Sequence, residues 1–582
     1  MNSKTNIGKI FNVLFRVHLF LNLTNCLCNI ASGYIAGNFL DNVAMACNSL
    51  ISPYNLLIMA VAYVYSSASE ILCGKFMGNG DKKSINKTFT NSIVLAVFTG
   101  IIFTLIALLF APKIVTILGA NSDIHDAAIM YLSAYSLGIF SYILMPLFVT
   151  YLHMENEGNY VTVSVILLGI SYVIIGFLLV KVLKLGYFGF GLTTSLSQII
   201  TVIFLAIKLY INKEQMYFEK GHLDTKLMGK MLILGFPSGS SGALLSFRNI
   251  ILNNILITSG GVMATAANSV MRSGLSIEDA IITSCLTTTT MLASICIGEK
   301  NKNEMIELAK YIAYKVIPFD IILILIQILC SDLIASIYST DVEVIKLGSF
   351  ALRLYFISNI FEICSDCLIA IYTIFEYNKF VNFFNLVHNF VYHIIYALLF
   401  KNIIGIYSVF TGFIFTEIFS LLTIIVYSQF INKHMPKSID DLILIHEDFD
   451  KVEKYNKTLK DYTDVSTLSA EISEFCINNN IDKRKTYLTG LCAEEMCANI
   501  FEHGYTKKQV KNKRIDVFVL IDKDNISLRI RDNSIAFNPT TRSIIFNPED
   551  PCKNIGIRLV SKISKEMTYQ NLFGFNNMII KL

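Results

Sequence analysis

Residues 432–441, Asn-Lys-His-Met-Pro-Lys-Ser-Ile-Asp-Asp, separate two parts of the chain that differ in composition. Before this stretch, long apolar runs dominate and charged residues collect in short gaps, whereas after it Lys, Asp, Glu and Asn are spread throughout. Of the 582 residues, 54% are hydrophobic and 16% are charged, which is too apolar for a soluble protein. The composition therefore predicts a polytopic membrane protein joined to a soluble domain.

The apolar part contains twelve segments long enough to cross a bilayer, which takes about 20 mostly apolar residues in a helix. The first six are residues 10–36, 48–72, 91–118, 127–152, 161–181 and 188–211. The second six are residues 231–258, 266–296, 310–338, 346–375, 380–402 and 404–431. The first apolar stretch runs far into the chain without a small-residue cleavage site, so we expect it to be retained as the first span.

The two sets of spans are related by an internal repeat. Shifting the second set back by about 220 residues superposes the segments, and Gly78 in Gly-Asn-Gly-Asp-Lys-Lys then aligns with Gly298 in Gly-Glu-Lys-Asn-Lys. Because each half has an even number of spans, both halves have the same orientation, and we expect a symmetry axis along the membrane normal with a cavity between the lobes. The predicted domains are an N-lobe at residues 1–215, a C-lobe at 216–435 and a cytoplasmic soluble domain at 440–582.

Charge and cysteine content limit the partners. The net charge of +4 is small, and Lys residues crowd short loops on one predicted side of the membrane. This pattern favours lipid headgroup contact over nucleic acid, and it predicts a multi-pass protein of the plasma (inner) membrane with both termini cytoplasmic. The 13 cysteines are scattered. We assign no disulfide or zinc site to them, and we expect Cys364-Ser-Asp-Cys367 to be part of the packed core.

Carboxylates inside the predicted spans are candidates for ion coupling, because a charge in hydrocarbon is costly and normally faces a cavity or a partner. Glu362 and Asp366 share one face of the tenth span, where like charges favour proton uptake. Glu278 and Asp279 interrupt the eighth span, and a structural pair of Glu278 with Arg272 is the alternative for them. Two further carboxylates, Glu70 and Glu417, lie near the ends of their spans. The alternative to ion coupling for them is that they are solvated.

Two segments resemble a known transporter family. They are Cys73-Gly-Lys-Phe-Met-Gly-Asn-Gly-Asp-Lys-Lys-Ser-Ile-Asn-Lys87 and Leu234-Gly-Phe-Pro-Ser-Gly239, and with the six-plus-six repeat they resemble the multidrug and toxic compound extrusion (MATE) family over residues 1–435. The resemblance implies an antiporter that exports small organic, often cationic compounds in exchange for H⁺ or Na⁺. Many members carry an Asp in the first span, but no acid stands near Ser32-Gly33 here.

The soluble part has the pattern of an α+β sandwich. Its periodicity predicts strands at residues 442–445, 514–521, 527–532 and 577–582 and helices at 468–478, 486–503 and 555–564. On the second helix, Glu495 and Asn499 share one face, so a carboxylate that activates water lies beside an amide oxygen that ligates Mg²⁺. Asp532 ends a strand and can accept from an exocyclic amine, and Gly556 opens a helix whose free amides can contact phosphate.

In this order, these elements resemble the Bergerat-fold ATPases of the histidine kinase and Hsp90 group, and most closely the anti-sigma-factor kinase branch. The matching segments are Glu494-Glu-Met-Cys-Ala-Asn-Ile-Phe-Glu-His-Gly-Tyr505, Asp532-Asn-Ser-Ile-Ala-Phe-Asn-Pro539 and Asn554-Ile-Gly-Ile-Arg-Leu559. The resemblance implies ATP and Mg²⁺ as cofactors. Glu495 would be the base, Asn499 the metal ligand, Asp532 the adenine reader and Gly556 a phosphate-loop residue.

The soluble domain departs from that family at two positions. Ser534 and Asn554 stand where glycines are expected, which leaves ATPase or serine/threonine kinase activity open. His446-Glu447 superficially resembles a phosphoacceptor site, but there is little room for a dimerisation hairpin, which argues against a self-phosphorylating histidine kinase. The chain has no Walker A loop, so direct ATP-driven export is not expected.

The sequence thus predicts a cation-coupled exporter whose ATP-binding domain regulates transport or phosphorylates a cytoplasmic regulatory protein. Two alternatives stay open. One is a membrane-anchored signalling protein with a transporter-like sensor and a kinase or partner-switch tail. The other is a flippase for lipid-linked sugars.

Overall fold

The computed structural model describes residues 7–40, 42–118, 120, 124–155, 157–211, 217–218, 221, 223–339, 341–445, 453–505, 513–522, 525–540, 555–572 and 575–582. These residues form two compact units, which are described separately. The membrane unit comprises Met1–Gly78, Lys83–His153 and Glu157–Ile445, and the second unit comprises Asn79–Lys82, Met154–Asn156 and His446–Leu582. His446-Glu447 and Asn554 lie outside the described residues.

The first half of the membrane unit consists of seven helices. They are α1 (Ile7–Phe39), α2 (Asn42–Asn79), α3 (Lys82–Ile117), α4 (His125–Ser136), α5 (Ile139–Met154), α6 (Gly158–Gly176) and α7 (Gly186–Ile211). Helix α6 continues into a π-helical segment at Phe177–Val182.

The second half repeats this arrangement with more breaks. Its helices are α8 (Thr225–Gly274), α9 (Ser276–Gly298), α10 (Lys302–Tyr311), α11 (Ile317–Leu329), α12 (Ser331–Tyr338), α13 (Val342–Ile374), α14 (Asn378–Leu386), α15 (Tyr392–Ile404) and α16 (Tyr407–Asn432). Helix α8 turns at Gly261, where φ is +63°. Two π-helical segments, Ile312–Val316 and Val387–Val391, join α10 to α11 and α14 to α15.

Apolar helices account for the predicted spans. Within the described residues, nine helices are long and apolar enough to cross a membrane, and α4 with α5, bent by 44°, form a tenth. The remaining two predicted spans, the first and the seventh, fall on α1 and on the part of α8 before Gly261. The expectation of a multi-pass helical membrane protein with two six-span halves is therefore confirmed.

The two halves meet at equivalent positions of the repeat. A Cβ added to Gly78 would lie 2.5 Å from backbone atoms of Gly298 and Glu299, and one added to Gly74 would collide with the side chain of Ser294. The repeat offset pairs Gly78 with Gly298 and Gly74 with Ser294. Helices α2 and α9 therefore touch along the symmetry axis, and these small residues permit the close approach.

Further polar contacts join the lobes on the side of the bundle where α1 begins, which we call the terminal side. Ser238 of α8 donates to Ser67 of α2 at 2.9 Å. Lys75 of α2 forms an ion pair of 2.7 Å with Glu376, which lies between α13 and α14. The lobes are thus packed against each other at the terminal side.

The segment after α16 folds back onto the membrane unit. Ser438 caps the short helix α17 (Ile439–Leu442), so the strand predicted at residues 442–445 is wrong. The Leu442 carbonyl accepts from Tyr372 at 2.6 Å, and the Asp441 carbonyl accepts from Ser428 at 2.8 Å. The capping residue and the negative charges that follow it favour a helix start over a strand.

The second unit is a five-stranded antiparallel sheet with helices. Its strands are β1 (Glu453–Leu459), β2 (Ile515–Asp522), β3 (Asn525–Asp532), β4 (Glu566–Leu572) and β5 (Phe575–Lys581), in the order β1-β2-β3-β5-β4. Its helices are α18 (Val465–Asn478), α19 (Lys483–Asn499) and α20 (Ile555–Ile563), and a π-helical segment follows α19 at Ile500–Gly504. The predicted α+β class is confirmed.

Alternating apolar side chains build the core of this unit. Leu528 and Ile530 of β3 are fully buried, and they belong to one cluster with Leu468 of α18 and Met496 of α19. Register pairs Asp532, at the end of β3, with Asn576 of β5. Helix α19, which carries Glu495 and Asn499, packs against β3.

Candidate functional site

A group of ionisable side chains lies inside the second half of the membrane unit. Glu362 and Asp366 are on one face of α13, and both are half-buried. Each lies within electrostatic range of Glu417 on α16. Two of the predicted ion-coupling residues are therefore brought together with a third carboxylate, and we call Glu362, Asp366 and Glu417, with His388, the C-lobe cluster.

His388 and Glu417 form the best-defined contact of the C-lobe cluster. His388 Nε2 lies 2.7 Å from Glu417 Oε1, and both side chains are buried. The π-helical segment Val387–Val391 carries this histidine. Glu417 is well inside α16, so its assignment to the end of a span is wrong. An ionisable residue within an apolar run was the signal that could have indicated His388.

A buried cation faces the same region. Arg248 of α8 is 8% exposed, and its Nε has no hydrogen-bond partner. Its guanidinium lies 5.9 Å from the centre of the Phe413 ring, and it interacts electrostatically with Glu362 and Glu417. The cluster therefore combines carboxylates with an arginine, a residue type that is rare and normally functional within a membrane.

Glu278 and Asp279 are separated by the geometry of α9. Glu278 is buried and accepts from Gln327 of α11 at 2.8 Å, with Asp320 as an electrostatic neighbour. Asp279 is exposed and lies within electrostatic range of Glu362 and Arg272. Of these two carboxylates, only Asp279 faces the C-lobe cluster. Arg272, predicted to pair with Glu278, lies near Asp279 instead.

In the second unit, the helix α19 and the start of α20 meet at three predicted residues. A Cβ added to Gly556 would collide with Glu495 Oε2 and would lie 3.2 Å from Asn499 Nδ2. Asn499 Nδ2 donates to the Glu495 carbonyl at 2.7 Å, which leaves Asn499 Oδ1 as its acceptor. The absence of a side chain at Gly556 keeps the carboxylate and the amide accessible from the start of α20.

Asp532 is held in a buried hydrogen-bond network. Its Oδ1 accepts from the Ser534 amide at 2.8 Å and from Asn576 Nδ2 at 2.9 Å. Asn576 Oδ1 in turn accepts from the Tyr569 hydroxyl at 2.6 Å. Burial raises the pKa of the Asp532 carboxyl, and the bonds from Ser534 and Asn576 oppose that rise. The network fixes the carboxylate, and Asp532 Oδ2 remains to accept from a ligand.

Ser534 causes no backbone strain where a glycine was expected. Ser534 is a described residue, and its φ is not positive. Its Oγ packs against Gly504 and lies 3.3 Å from Asn576 Nδ2, so the side chain is directed into the network around Asp532. Asn576, which sequence reasoning missed, therefore supports the predicted adenine reader from the neighbouring strand.

These residues fit a magnesium nucleotide. Among the described residues, no group of three His, Cys, Asp or Glu side chains could hold a metal by itself. Magnesium is commonly bound through one or two protein ligands together with phosphate oxygens, and Asn499 Oδ1 would be such a ligand. Asp532 Oδ2 suits an exocyclic amine, and the lack of a side chain at Gly556 suits a close approach of phosphate to the backbone.

Comparisons with known proteins agree with both units. The MatE family model matches residues 19–182 and 237–399, and the model of the histidine kinase-like ATPase domain matches residues 459–580. "Probable multidrug resistance protein YoeA" of Bacillus subtilis (strain 168) is 22% identical over 283 residues, which cover 46% of this chain and 60% of that protein. The chain thus aligns with less than two thirds of this relative's length.

Solved structures share the fold of the membrane unit. One is described as an "Outward-facing conformation of a multidrug resistance MATE family transporter of the MOP superfamily", with 18% identity, a TM-score of 0.67, and coverage of 72% of this chain and 94% of the other. Another is described as "Reverse polarity of binding pocket suggests different function of a MOP superfamily transporter from Pyrococcus furiosus Vc1 (DSM3638)". It has 17% identity, a TM-score of 0.67, and coverage of 73% and 96%.

The fold and the two matched regions define a class: a multi-pass membrane protein with a transporter fold and a C-terminal histidine kinase-like ATPase domain. The matched segments of the membrane unit make up more than half of the sequence. The chain belongs to the MatE family.

Proposed function

We propose that this protein exports small organic, drug-like compounds across the plasma membrane in exchange for H⁺ or Na⁺, with both termini in the cytoplasm. The observation that supports this proposal most directly is the C-lobe cluster. Three carboxylates and a histidine inside the membrane are expensive unless they bind an ion or substrate. The family relationship and the relative described as a multidrug resistance protein point to the same activity.

The C-lobe cluster can couple the two fluxes by competition. Glu362 and Asp366 are half-buried, whereas Glu417 is held by His388, so the first two are the accessible carboxylates. A cation bound to this pair removes the negative charge that would attract a cationic substrate. The ion and the substrate then cannot bind to Glu362 and Asp366 at the same time, and exchange requires this mutual exclusion.

The C-terminal domain is proposed to bind ATP with Mg²⁺ and to regulate transport or to phosphorylate a cytoplasmic regulatory protein. When bound, the nucleotide would supply a phosphoryl group. In this proposal Glu495 would take a proton from an attacking water or hydroxyl, Asn499 would hold the metal and Asp532 would orient the adenine base. The close approach of the Glu495 carboxylate to Gly556 supports this assignment, because a side chain at residue 556 would collide with that carboxylate.

Reconstituted protein tests the transport proposal. Proteoliposomes containing the full chain should move a fluorescent organic cation against an imposed H⁺ or Na⁺ gradient. The double variant Glu362→Gln with Asp366→Asn should lower this exchange roughly tenfold or more. Glu307→Gln, a change of the same type in α10 outside the C-lobe cluster, is the matched control. Unchanged exchange in the double variant would refute the site assignment.

Arg248 favours a second candidate, a flippase for lipid-linked sugars. A buried guanidinium whose Nε has no partner suits a phosphate group of such a lipid. The description of one structural relative links a reversed polarity of its binding pocket to a different function. If vesicles transfer a fluorescent phosphate-linked lipid and Arg248→Gln abolishes the transfer, while no organic cation is exchanged, this candidate replaces the first. Nucleotide-dependent phosphorylation without either transport would favour the signalling alternative.

A further inference from the structure

Two histidines form a buried chain of hydrogen bonds that ends on the opposite lobe. His18 of α1 and His153 of α5 belong to the N-lobe, and His18 Nε2 lies 2.9 Å from His153 Nδ1. His18 Nδ1 lies 3.0 Å from Thr288 Oγ1 on α9, in the C-lobe. The two imidazoles and the threonine are buried. The contact between the lobes at this point thus depends on a titratable group.

The donor and the acceptor of each hydrogen bond in this series can be assigned. The Thr288 hydroxyl donates to the Ser284 carbonyl at 2.7 Å, so Thr288 Oγ1 accepts from His18 Nδ1–H. His18 Nε2 is then the acceptor, and His153 Nδ1–H donates to it. In this arrangement both rings are neutral and each donor has an acceptor.

A further proton does not fit into the packed arrangement. On His18 Nε2 it would face the N–H of His153. On His153 Nε2 it would be a buried donor without an acceptor, because this atom has no hydrogen-bond partner. A buried donor without an acceptor destabilises the packed state, and a buried unpaired charge destabilises it more. Protonation is therefore favourable only where water reaches the rings.

The surroundings provide no counter-ion for an imidazolium. From α9, Thr288 contacts His18, and Ser284 accepts from Asn22, one turn further along α1. From α6, the start of the helix at Gly158 packs beside the His153 ring. Arg16 is exposed two residues before His18, on the opposite side of α1. Further charged groups on neighbouring elements include Glu70 of α2, which is buried, and Glu155 and Glu157 after α5, which make interactions of their own. Others are Glu278, Asp279 and the C-cap Glu299 of α9, and Lys302, Glu304, Glu307 and Lys310 of α10.

Among the described residues, neither histidine forms an ion pair within 4.0 Å. The neutral pair is consequently the form that the packed interface stabilises.

The repeat shows what the histidine adds. The same offset that relates Gly78 to Gly298 relates His18 to Ser238. Ser238 also bonds across the lobes, to Ser67 at 2.9 Å, one position before Ala68, which is the repeat equivalent of Thr288. A hydroxyl is therefore sufficient to join α8 to α2. Where α1 contacts α9, the bond is made by the imidazole of His18. The unperturbed pKa of an imidazole allows its charge to change near neutral pH.

We propose that His18 and His153 form a proton-binding latch between the lobes, neutral when the terminal side is packed and protonated when it is open. The proposal rests on the proposed transport function, and it makes the proton the coupling or regulating ion. A ligand that binds only one of two states shifts the equilibrium toward that state. A proton taken up by the latch thus favours opening of the terminal side, and its loss favours closure.

The test measures the packing of the lobes in the full chain, without substrate or an ion gradient. Bioorthogonal spin labels are placed at Lys83 and Asn303, which are exposed, repeat-equivalent positions at the starts of α3 and α10. In lipid nanodiscs, pulsed electron paramagnetic resonance should give a short distance at pH 8 and a growing long-distance population toward pH 5.5. For one linked proton, the ratio of the two populations changes by at most about tenfold per pH unit.

Variants separate the latch from other causes. His18→Asn with His153→Gln should remove the pH response, because amides do not titrate in this range. Thr288→Val retains both histidines and the shape of the threonine, and it should raise the open fraction at pH 8 by about fivefold through loss of one hydrogen bond. Ser238→Ala is the matched control: it removes the equivalent bond between the lobes but should leave the pH response intact.

The proposal is overturned if the double histidine variant, still monodisperse, responds to pH like the wild type, or if the wild type does not respond between pH 5.5 and pH 8. It is equally overturned if Thr288→Val leaves the populations unchanged. Failure of export in proteoliposomes with a normal pH response would instead reject the transport proposal.

Discussion

Single residues in the C-terminal domain show how one carboxylate can be prepared for a ligand at the expense of stability. Burial raises the pKa of Asp532, so folding favours its neutral form and the ionised form opposes folding above the unfolded-state pKa. This unfavourable contribution is complete above the folded-state pKa and is lost as the pH falls through the unfolded-state pKa. The bonds from Ser534 and Asn576 nevertheless hold the carboxylate in place for a partner.

The variant Asp532→Asn should therefore have opposite effects on folding and on binding. At pH 7 we expect the domain to melt at a higher temperature without nucleotide, because the buried charge is gone. We expect ATP affinity to fall roughly 10- to 100-fold, because a charged acceptor is lost. Calorimetry of unfolding and titration with ATP and Mg²⁺ measure the two effects. Equal ATP affinity in wild type and variant would contradict the adenine-reading role.

The variant Gly556→Ala should impair the nucleotide site sterically. The added methyl group would collide with the Glu495 carboxylate, so the start of α20 or the carboxylate has to move. We expect weaker binding of ATP with Mg²⁺ and little change in the amount of folded protein. Gly229→Ala, where nothing lies within 4 Å of the added atom, is the control for expression and folding. Wild-type nucleotide affinity in Gly556→Ala would exclude a close approach of phosphate at this position.

At the level of elements, the axial contact of α2 with α9 decides how closely the lobes approach. Gly78 meets backbone atoms of Gly298 and Glu299, which cannot rotate away as a side chain can. Gly78→Ala should therefore enlarge the open population on the terminal side at every pH. Pulsed electron paramagnetic resonance between labels at residues 83 and 303 measures it, with Gly229→Ala as the control. An unchanged distance distribution would show that the helices do not approach this closely in the membrane.

Much of the element order could be predicted from the sequence, because hydropathy and alternation report directly on burial. Helices α18, α19 and α20 and strands β2, β3 and β5 were all predicted within a few residues of their observed ends. The strands β1 and β4 were missed. Both are polar edge strands, Glu-Lys-Tyr-Asn-Lys-Thr-Leu and Glu-Met-Thr-Tyr-Gln-Asn-Leu, whose pairing is decided by neighbours distant in sequence.

The sites were only partly predictable for a related reason. Spacing along one helix indicated Glu362 with Asp366 and Glu495 with Asn499, because residues four apart share a face. It could not indicate that His388 reaches Glu417 or that Asn576 reaches Asp532, since each pair joins different elements. Nor could it separate Glu278 from Asp279, which are adjacent in sequence but face different helices. Tertiary packing, absent from local patterns, decides these contacts.

At the level of the whole molecule, the question is what the histidine kinase-like ATPase domain contributes to the proposed transport. If the domain regulates transport, Asn499→Ala in the full chain should abolish any effect of ATP with Mg²⁺ on the exchange rate. It should leave the rate without nucleotide within about twofold, because the substitution lies outside the membrane unit. Initial rates in proteoliposomes with and without internal nucleotide measure both quantities. Loss of exchange without nucleotide would show that the domain is required for transport itself.

The small-residue contact on the repeat axis has a further consequence for how such a chain could arise. In a dimer of two identical six-helix chains, position 74 would face its own copy, and a serine there would oppose a second serine. Once the halves are joined in tandem, the two copies can diverge, and here one has glycine while the other has Ser294, whose side chain fills the space that Gly74 leaves. Duplication followed by fusion thus permits a larger residue to face a smaller one at this position. Two identical subunits would have the same residue on both sides.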